Sequence, residues 1–350
     1  MVIMVPDVPP PALRLRFDAD ALVSNWRALD RLSGSAHAGA AVKADAYGVG
    51  AAKVVPALLS AGCRDFFVAH WSEIPVALEG SGKAGISVLH GPVTAADAAF
   101  ARETGVKPVI NSLAQARLWI DAGGGPCDLM VDTGMNRLGV SLNDLGDPLI
   151  EALDVDLLLS HLVSAEEDTD LNERQRSRWQ DARAQVRYAR ASLANSAGIA
   201  LGEAFHGDLT RPGIALYGGV PRPEMASLLR QVVTPEAVIL QVREIAAGET
   251  IGYNATFTAP SPMRLGTIAI GYADGYLRCW SGKGGFLAGG TALPVLGRVS
   301  MDLTVIDLSS APHLREGDWV SADYALPESA AATGLSQYEL LTLLARRFGR

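Results

Sequence analysis

Residues 107–132, KPVINSLAQARLWIDAGGGPCDLMVD, read as one complete strand–helix–strand unit. KPVI (107–110) is an apolar run of strand length. SLAQARLWIDAG spaces its apolar residues as a helix does, and the glycine run stops it. DLMVD (128–132) is a second apolar run. The same unit recurs on both sides. LRLRF (13–17) opens the series and is followed by a helical pattern that Asp18 or Asp20 would cap. AGAAVK (38–43), DFFVA (65–69), ISVLH (86–90) and DLLLSH (156–161) recur at similar intervals, with weaker strand signals near Leu193 and Ile214. EIPVALEG is another of the intervening helices. About eight repeats over some 210 residues predict an α/β fold, a parallel (β/α)8 TIM barrel. A doubly wound open sheet is the alternative, but no G-x-G-x-x-G follows the first strand.

After about Val233 the texture changes. AVILQVREI, ETIGYNATFTA, RLGTIAIGYADGY, ALPVLGRVSMDLTVIDLS and DWVSADY are rich in Val, Ile and Thr and separated by turn residues, which predicts a C-terminal mainly-β domain. The tail SQYELLTLLARRF reads as helical. The expected division is an N-terminal extension over 1–12, a barrel over 13–235 and a β domain over 236–350.

Composition narrows the class. Hydrophobic residues are 49% and charged residues 19% of the 350, which excludes disorder for most of the length. No apolar run reaches the roughly 18 residues of a membrane span, and MVIMVPDVPPP lacks the basic start of a signal peptide. Cys63, Cys127 and Cys279 are odd in number and scattered, fitting neither a disulfide framework nor a metal cluster. A net charge of −8 argues against nucleic acid as a partner. The expectation is a cytoplasmic enzyme.

Groups at the carboxyl ends of barrel strands share one mouth. In order these are Lys43, Asp132, His161, Asn195–Ser196 and Arg211, too few carboxylates for a hard-metal site. The chain has only five lysines, and Lys43 closes an apolar strand, where burial turns an amine into a nucleophile for carbonyl compounds. On position alone a snorkelling or salt-bridged lysine is the ordinary alternative.

The context of Lys43 adds more. VKADAYGVGA (42–51) resembles the pyridoxal-phosphate lysine motif of alanine racemases. VDTGMNRLG (131–139), SHLVSAEE (160–167), NSAG (195–198), TRPGIALYG (210–218), GYNATFTA (252–259), GYADGYLR (271–278) and GRVSMD (297–302) match further motifs of that family in its order, over nearly the whole chain.

The resemblance implies interconversion of L- and D-alanine with pyridoxal 5'-phosphate and no metal. Lys43 would carry the cofactor and serve as one base. Tyr47, Ser196, the backbone N–H groups at Gly213 and Ile214, and Tyr338 would hold its phosphate. Arg211 would face the pyridine nitrogen; a guanidinium cannot accept the ring proton, so return of a proton to Cα is favoured over transamination. Tyr253 would be the second base, with His161 bridging it to Arg211. It would come from the partner subunit of a homodimer with shared sites. Arg137 would hold the substrate carboxylate. Met301, Asp302 and Tyr272 would line the pocket, and Tyr272, Arg278 and Glu166 would form a narrow entrance.

Two departures stand out. Many relatives carry a carbamylated lysine immediately before VDTGM; here it is Met130, so no carbamate is expected, and Arg137 must find another anion. Glu166 stands where relatives often have Asp. A serine or broader-specificity racemase, and a fold-related decarboxylase of basic amino acids, are the competing readings. The residues leave open whether D-alanine is made for a cell wall or broken down.

Overall fold

The computed structural model describes residues 9–82, 84–344 and 347–348. Two compact units divide the chain. One is Ala19–Arg230; the other joins the segment ending at Asp18 to the chain from Gln231 onward.

In the first unit the segments His37–Ala38 and Ala40–Ala41 form one strand interrupted at Gly39, where a Cβ would fall 2.9 Å from the Asp65 carbonyl oxygen. Asp65–Val68, Gly85–Val88, Lys107–Ile110, Pro126–Asp132, Asp154–Leu159 and Arg190–Ser192 follow it in parallel pairing. Leu209–Thr210 then pairs in parallel with His37–Ala38. Two further bonds carry the ladder around: Ala41 N–H donates to Pro212 O at 2.9 Å, and Arg211 N–H to Ala194 O at 2.9 Å. The eight strands thus close into a TIM-like barrel. Phe67, Val109, Met130, Leu157, Leu159 and Leu209 form one buried cluster within it.

The helices dock by apolar faces. Ala19–Leu32 buries Ala21, Leu22, Trp26, Ala28 and Leu29, a helical spacing. Leu113–Asp121 starts at Ser112, whose hydroxyl accepts the Gln115 N–H at 3.2 Å, and runs out into three glycines of positive φ. Toward the amino ends of the strands, charged residues are linked in a chain. Arg190 joins Asp65 and Asp156 at 2.9 and 3.0 Å, and Lys107 joins Asp156 and the fully buried Asp128.

The second unit is antiparallel. Val233–Ile245, Met263–Ile268, Thr304–Asp307, Thr291–Leu296, Gly285–Ala288 and Trp319–Ala322 pair in that order, and Trp319–Ala322 returns to Val233–Ile245. Leu13–Phe17 is added antiparallel along residues 233–237. This corrects the sequence reading, which took LRLRF as the first barrel strand. Alternation of Leu and Arg suits an edge strand with one wet face, and Arg14 and Arg16 both reach Glu236, at 2.7 and 3.0 Å. The division accordingly falls between Arg230 and Gln231 rather than after 235. Ile214 opens a short 3-10 turn, Ile214–Tyr217, and the last barrel strand precedes it.

Thr250–Ile251 and Phe257–Thr258 form a hairpin seated on Met263, Leu265 and Leu296. The tail is helical at Gln337–Thr342, capped reciprocally by Ser336 and Glu339. Residues 1–8 of the expected N-terminal extension, Lys83 and parts of the tail after Leu344 lie outside the described residues. Among the described residues, no helix is long and apolar enough to cross a membrane.

Candidate active site

Lys43 follows the first barrel strand and begins a short turn, Lys43–Tyr47, that is left-handed. Ala44, Asp45, Ala46 and Tyr47 all have φ between 53 and 57°. L-residues avoid this region at a cost of roughly 1–2 kcal/mol each. The strand reading of AGAAVK therefore ends at Ala41. The turn is held inside by Ala46 N–H donating to Val42 O at 2.8 Å and Gly48 N–H donating to Ala44 O at 2.9 Å. Asp45 Oδ1 accepts the Ala51 N–H at 2.7 Å. Backbone strain of this kind clusters at functional sites.

Burial holds the Lys43 amine below its ordinary pKa, and the Arg137 and Arg211 charges add to that; Glu73 opposes it. A lowered pKa raises the share of free, nucleophilic amine. His161, at the end of the sixth barrel strand, is pushed down to about 3 by burial and by Arg211, Lys43 and Arg137. It is neutral at ordinary pH. These four groups therefore lie within one another's fields.

Arg211 is only 7% exposed. Its two terminal nitrogens donate to the Ser192 hydroxyl and the Ser160 carbonyl, and no carboxylate pairs with it among the described residues. Burial pushes it down to about 10, and the Asp128 charge opposes this. The expected hydrogen bond between His161 and Arg211 is absent from this arrangement; the guanidinium reaches the two serines instead. Ser160 and Ser192 escaped the sequence reading, because nothing about a serine in a barrel strand marks it as a guanidinium acceptor.

A polar cradle lies beside Lys43. Ser196 Oγ accepts the N–H groups of Gly213 at 2.8 Å and Ala215 at 3.3 Å. Asn195 caps the turn Ser196–Ile199, its Oδ1 accepting the Gly198 N–H at 2.9 Å. The Tyr47 hydroxyl sits against Gly213, and its ring lies 5.0 Å from that of Tyr217. Burial raises the Tyr47 phenol to about 12, so it is a proton donor.

Asp132 shapes the loop bearing Arg137. Its Oδ1 accepts the N–H groups of Gly134 at 2.8 Å and Met135 at 2.9 Å. Arg137 is exposed and makes no hydrogen bond or ion pair among the described residues. Met130 packs in the apolar cluster with Val109 and Leu159. Glu166 is exposed, on the loop after His161.

The remaining expected site residues belong to the second unit. Tyr253, 66% exposed, stands at the tip of the 250–258 hairpin. Asn254 and Ala255 beside it have positive φ. Tyr272 and Met301 are on adjoining loops: Tyr272 N–H donates to Ser300 O and Ala273 N–H to Met301 O, both at 3.0 Å. The Arg278 guanidinium lies 5.2 Å from the Tyr272 ring centre. Asp302 pairs with Arg347 at 2.7 Å, and Arg347 also holds Asp274 at 2.8 Å. Tyr338 lies on the helix Gln337–Thr342.

Two family descriptions cover the chain: "Alanine racemase, N-terminal domain" over residues 17–221 and "Alanine racemase, C-terminal domain" over 232–350. The alanine racemase of Methylobacterium nodulans is 44% identical over 352 residues, covering 96% of this chain and 95% of the relative. The chain belongs to the alanine racemase family. The alanine racemase of Acidiphilium cryptum is 42% identical over 350 residues, with coverage of 96% and 97%. The crystal structure of the Bartonella henselae alanine racemase, with covalently bound pyridoxal phosphate, superposes with a TM-score of 0.89 at 36% identity, covering 97% of this chain and 99% of that one. The biosynthetic alanine racemase of Pseudomonas aeruginosa gives 0.86 at 34% identity, with coverage of 98% and 99%. Membership makes the fold comparison direct: barrel and antiparallel domain are those of alanine racemases.

Proposed function

We propose that this protein interconverts L- and D-alanine with pyridoxal phosphate, and that Lys43 and Tyr253 exchange protons on opposite faces of the substrate Cα. The residues present fit that cofactor. Tyr47 Oη and Ser196 Oγ both lie against Gly213, whose lack of a side chain admits the Tyr47 hydroxyl, and hydroxyls gathered at the start of a short turn are the donors a phosphate takes. Burial and two neighbouring arginines hold the Lys43 amine below its ordinary pKa, the direction a carbonyl-capturing lysine needs. Bound there, pyridoxal phosphate acidifies the substrate α-proton by drawing electron density away from Cα.

The chain's own residues do the rest. Lys43 Nζ anchors the cofactor and exchanges the proton on one face. Tyr253 Oη serves the other. A phenol, with a free pKa near ~10, needs cationic neighbours to act as a base; His161 lies in the field of Arg211 without a hydrogen bond to it, so the Arg211 charge would act on the phenol through space, with the His161 imidazole as its hydrogen-bond partner. Exposure of Tyr253 on a hairpin tip supports its delivery from a second copy of the chain in a homodimer. Arg137, exposed and unpaired, takes the substrate carboxylate. Met301, Asp302 and Tyr272 line the pocket, Arg278 and Glu166 narrow its entrance, and Tyr338 contacts the phosphate.

One observation carries the choice of racemisation: Arg211 is buried, its charge reaches Lys43, and no carboxylate pairs with it among the described residues. A permanently charged donor cannot take a proton from the cofactor ring, so the proton goes back to Cα. A carboxylate in its place would favour the decarboxylase reading.

The test is optical. Holoenzyme shows the visible band of lysine-bound pyridoxal phosphate, borohydride bleaches it, and Lys43→Ala lacks it. Cofactor-supplemented wild type without that band refutes the assignment. Turnover of L-alanine, L-serine and L-lysine side by side then fixes specificity; serine turned over as fast as alanine would make this a broader racemase.

A further inference from the structure

Four consecutive left-handed residues after Lys43 are stable only if the surroundings over-determine them. The internal bonds of the turn, Ala46 N–H to Val42 O and Gly48 N–H to Ala44 O, do not use the Ala44 N–H. Its upstream end, the first peptide after Lys43, is held from outside. Ala44 N–H donates to Glu73 Oε1, while Glu73 Oε2 accepts the N–H groups of Ala69 at 2.8 Å and His70 at 2.9 Å. A single carboxylate thus grips the backbone after the first barrel strand and the backbone after the second. Hydrogen bonds to a charged acceptor are the stronger kind.

Charge points the same way. The Arg137 and Arg211 charges push the Lys43 amine toward losing its proton, and Glu73 is the negative group that opposes them. His90, whose ring lies 4.2 Å from that of His70, also shares a field with Lys43 and Glu73.

We propose that Glu73 is a positioning residue for Lys43: its carboxylate locks the left-handed turn that carries Lys43 and Tyr47, and sets one negative charge beside the amine. The proposal rests on the assignment of Lys43 as the cofactor lysine. Glu73→Gln keeps one acceptor oxygen, so it loses part of the three-way grip and all of the charge. Glu73→Asp keeps the charge on a stem too short to span both loops.

The measurement is pyridoxal phosphate binding against pH, read by the visible band in wild type and both variants. Glu73→Gln is expected to weaken binding roughly tenfold, the scale of one lost bond to a charged group. Its acid limb should also move to lower pH, because the ammonium has lost its stabilising anion. Glu73→Asp is expected to weaken binding with the acid limb unmoved. Wild-type affinity in either variant overturns the proposal, and so does a weakened Glu73→Gln with an unshifted limb, which would be the mark of mere packing. Should Glu73→Gln not fold, Glu73→Asp decides alone. A wild-type protein without a Lys43-dependent band would instead refute the cofactor assignment.

Discussion

Gly213 lies directly against Tyr47: a Cβ on Gly213 would fall 2.2 Å from the Tyr47 hydroxyl oxygen and 2.9 Å from its Cζ. Tyr47 is buried and its ring packs 5.0 Å from that of Tyr217, whose own hydroxyl donates to Ala41 O at 2.9 Å, so it has little room to retreat. Gly213→Ala is therefore expected to destabilise the protein by about 1–3 kcal/mol through overpacking and to weaken pyridoxal phosphate binding more than alanine binding. Thermal unfolding with and without cofactor checks both parts; unaltered cofactor affinity would remove Gly213 from the cradle.

His161 makes a pH prediction. Its pKa falls from ~6.5 in an unfolded chain to about 3 when folded. A depressed histidine contributes stability above its unfolded value, and that contribution is lost as pH falls from about 6.5 toward 3. Thermal midpoints of wild type and His161→Gln, compared from pH 7 down to 4, should show the wild type losing more. Parallel curves would mean that the histidine is not held neutral.

Arg211→Glu places a titratable carboxylate where the wild type has a permanent cation. Racemisation should fall by about 10²–10³-fold, the scale of losing one preorganised charge in a site. Pyruvate release from alanine should rise above wild type, as the proton reaches the cofactor rather than Cα. A variant that racemises slowly without releasing pyruvate would show that Arg211 does not control where the proton goes.

Delivery of Tyr253 across a dimer predicts complementation. Lys43→Ala and Tyr253→Phe are each inactive, yet in a mixed dimer one site has both native residues. Refolding equal amounts together should restore about a quarter of wild-type activity, since half the dimers are mixed and each has one intact site. No recovery would place Tyr253 and Lys43 of the same chain in one site.

The barrel was legible because strand and helix periods alternate plainly, as in 107–132. LRLRF misled because its place in the series suggested a barrel strand, whereas its Arg–Glu236 pairs bind it to the antiparallel sheet. A strand five residues long has no local signal naming its partner. The apolar context of Lys43 marks it as a candidate, but the left-handed turn after it is not legible: Ala-Asp-Ala contains no glycine to announce positive φ. Part of what holds that turn is Glu73, 29 positions away from Ala44, which no local pattern announces. Ser160 and Ser192 were illegible for the same reason, being brought to Arg211 by barrel closure alone.

The two-base assignment is tested most directly by α-proton exchange in Tyr253→Phe holoenzyme. In deuterated water, each alanine enantiomer is incubated separately and deuterium at Cα is counted at early times. The account predicts that exchange persists for the enantiomer whose α-proton faces Lys43 and is lost for the other. Undiminished exchange of both enantiomers would contradict it.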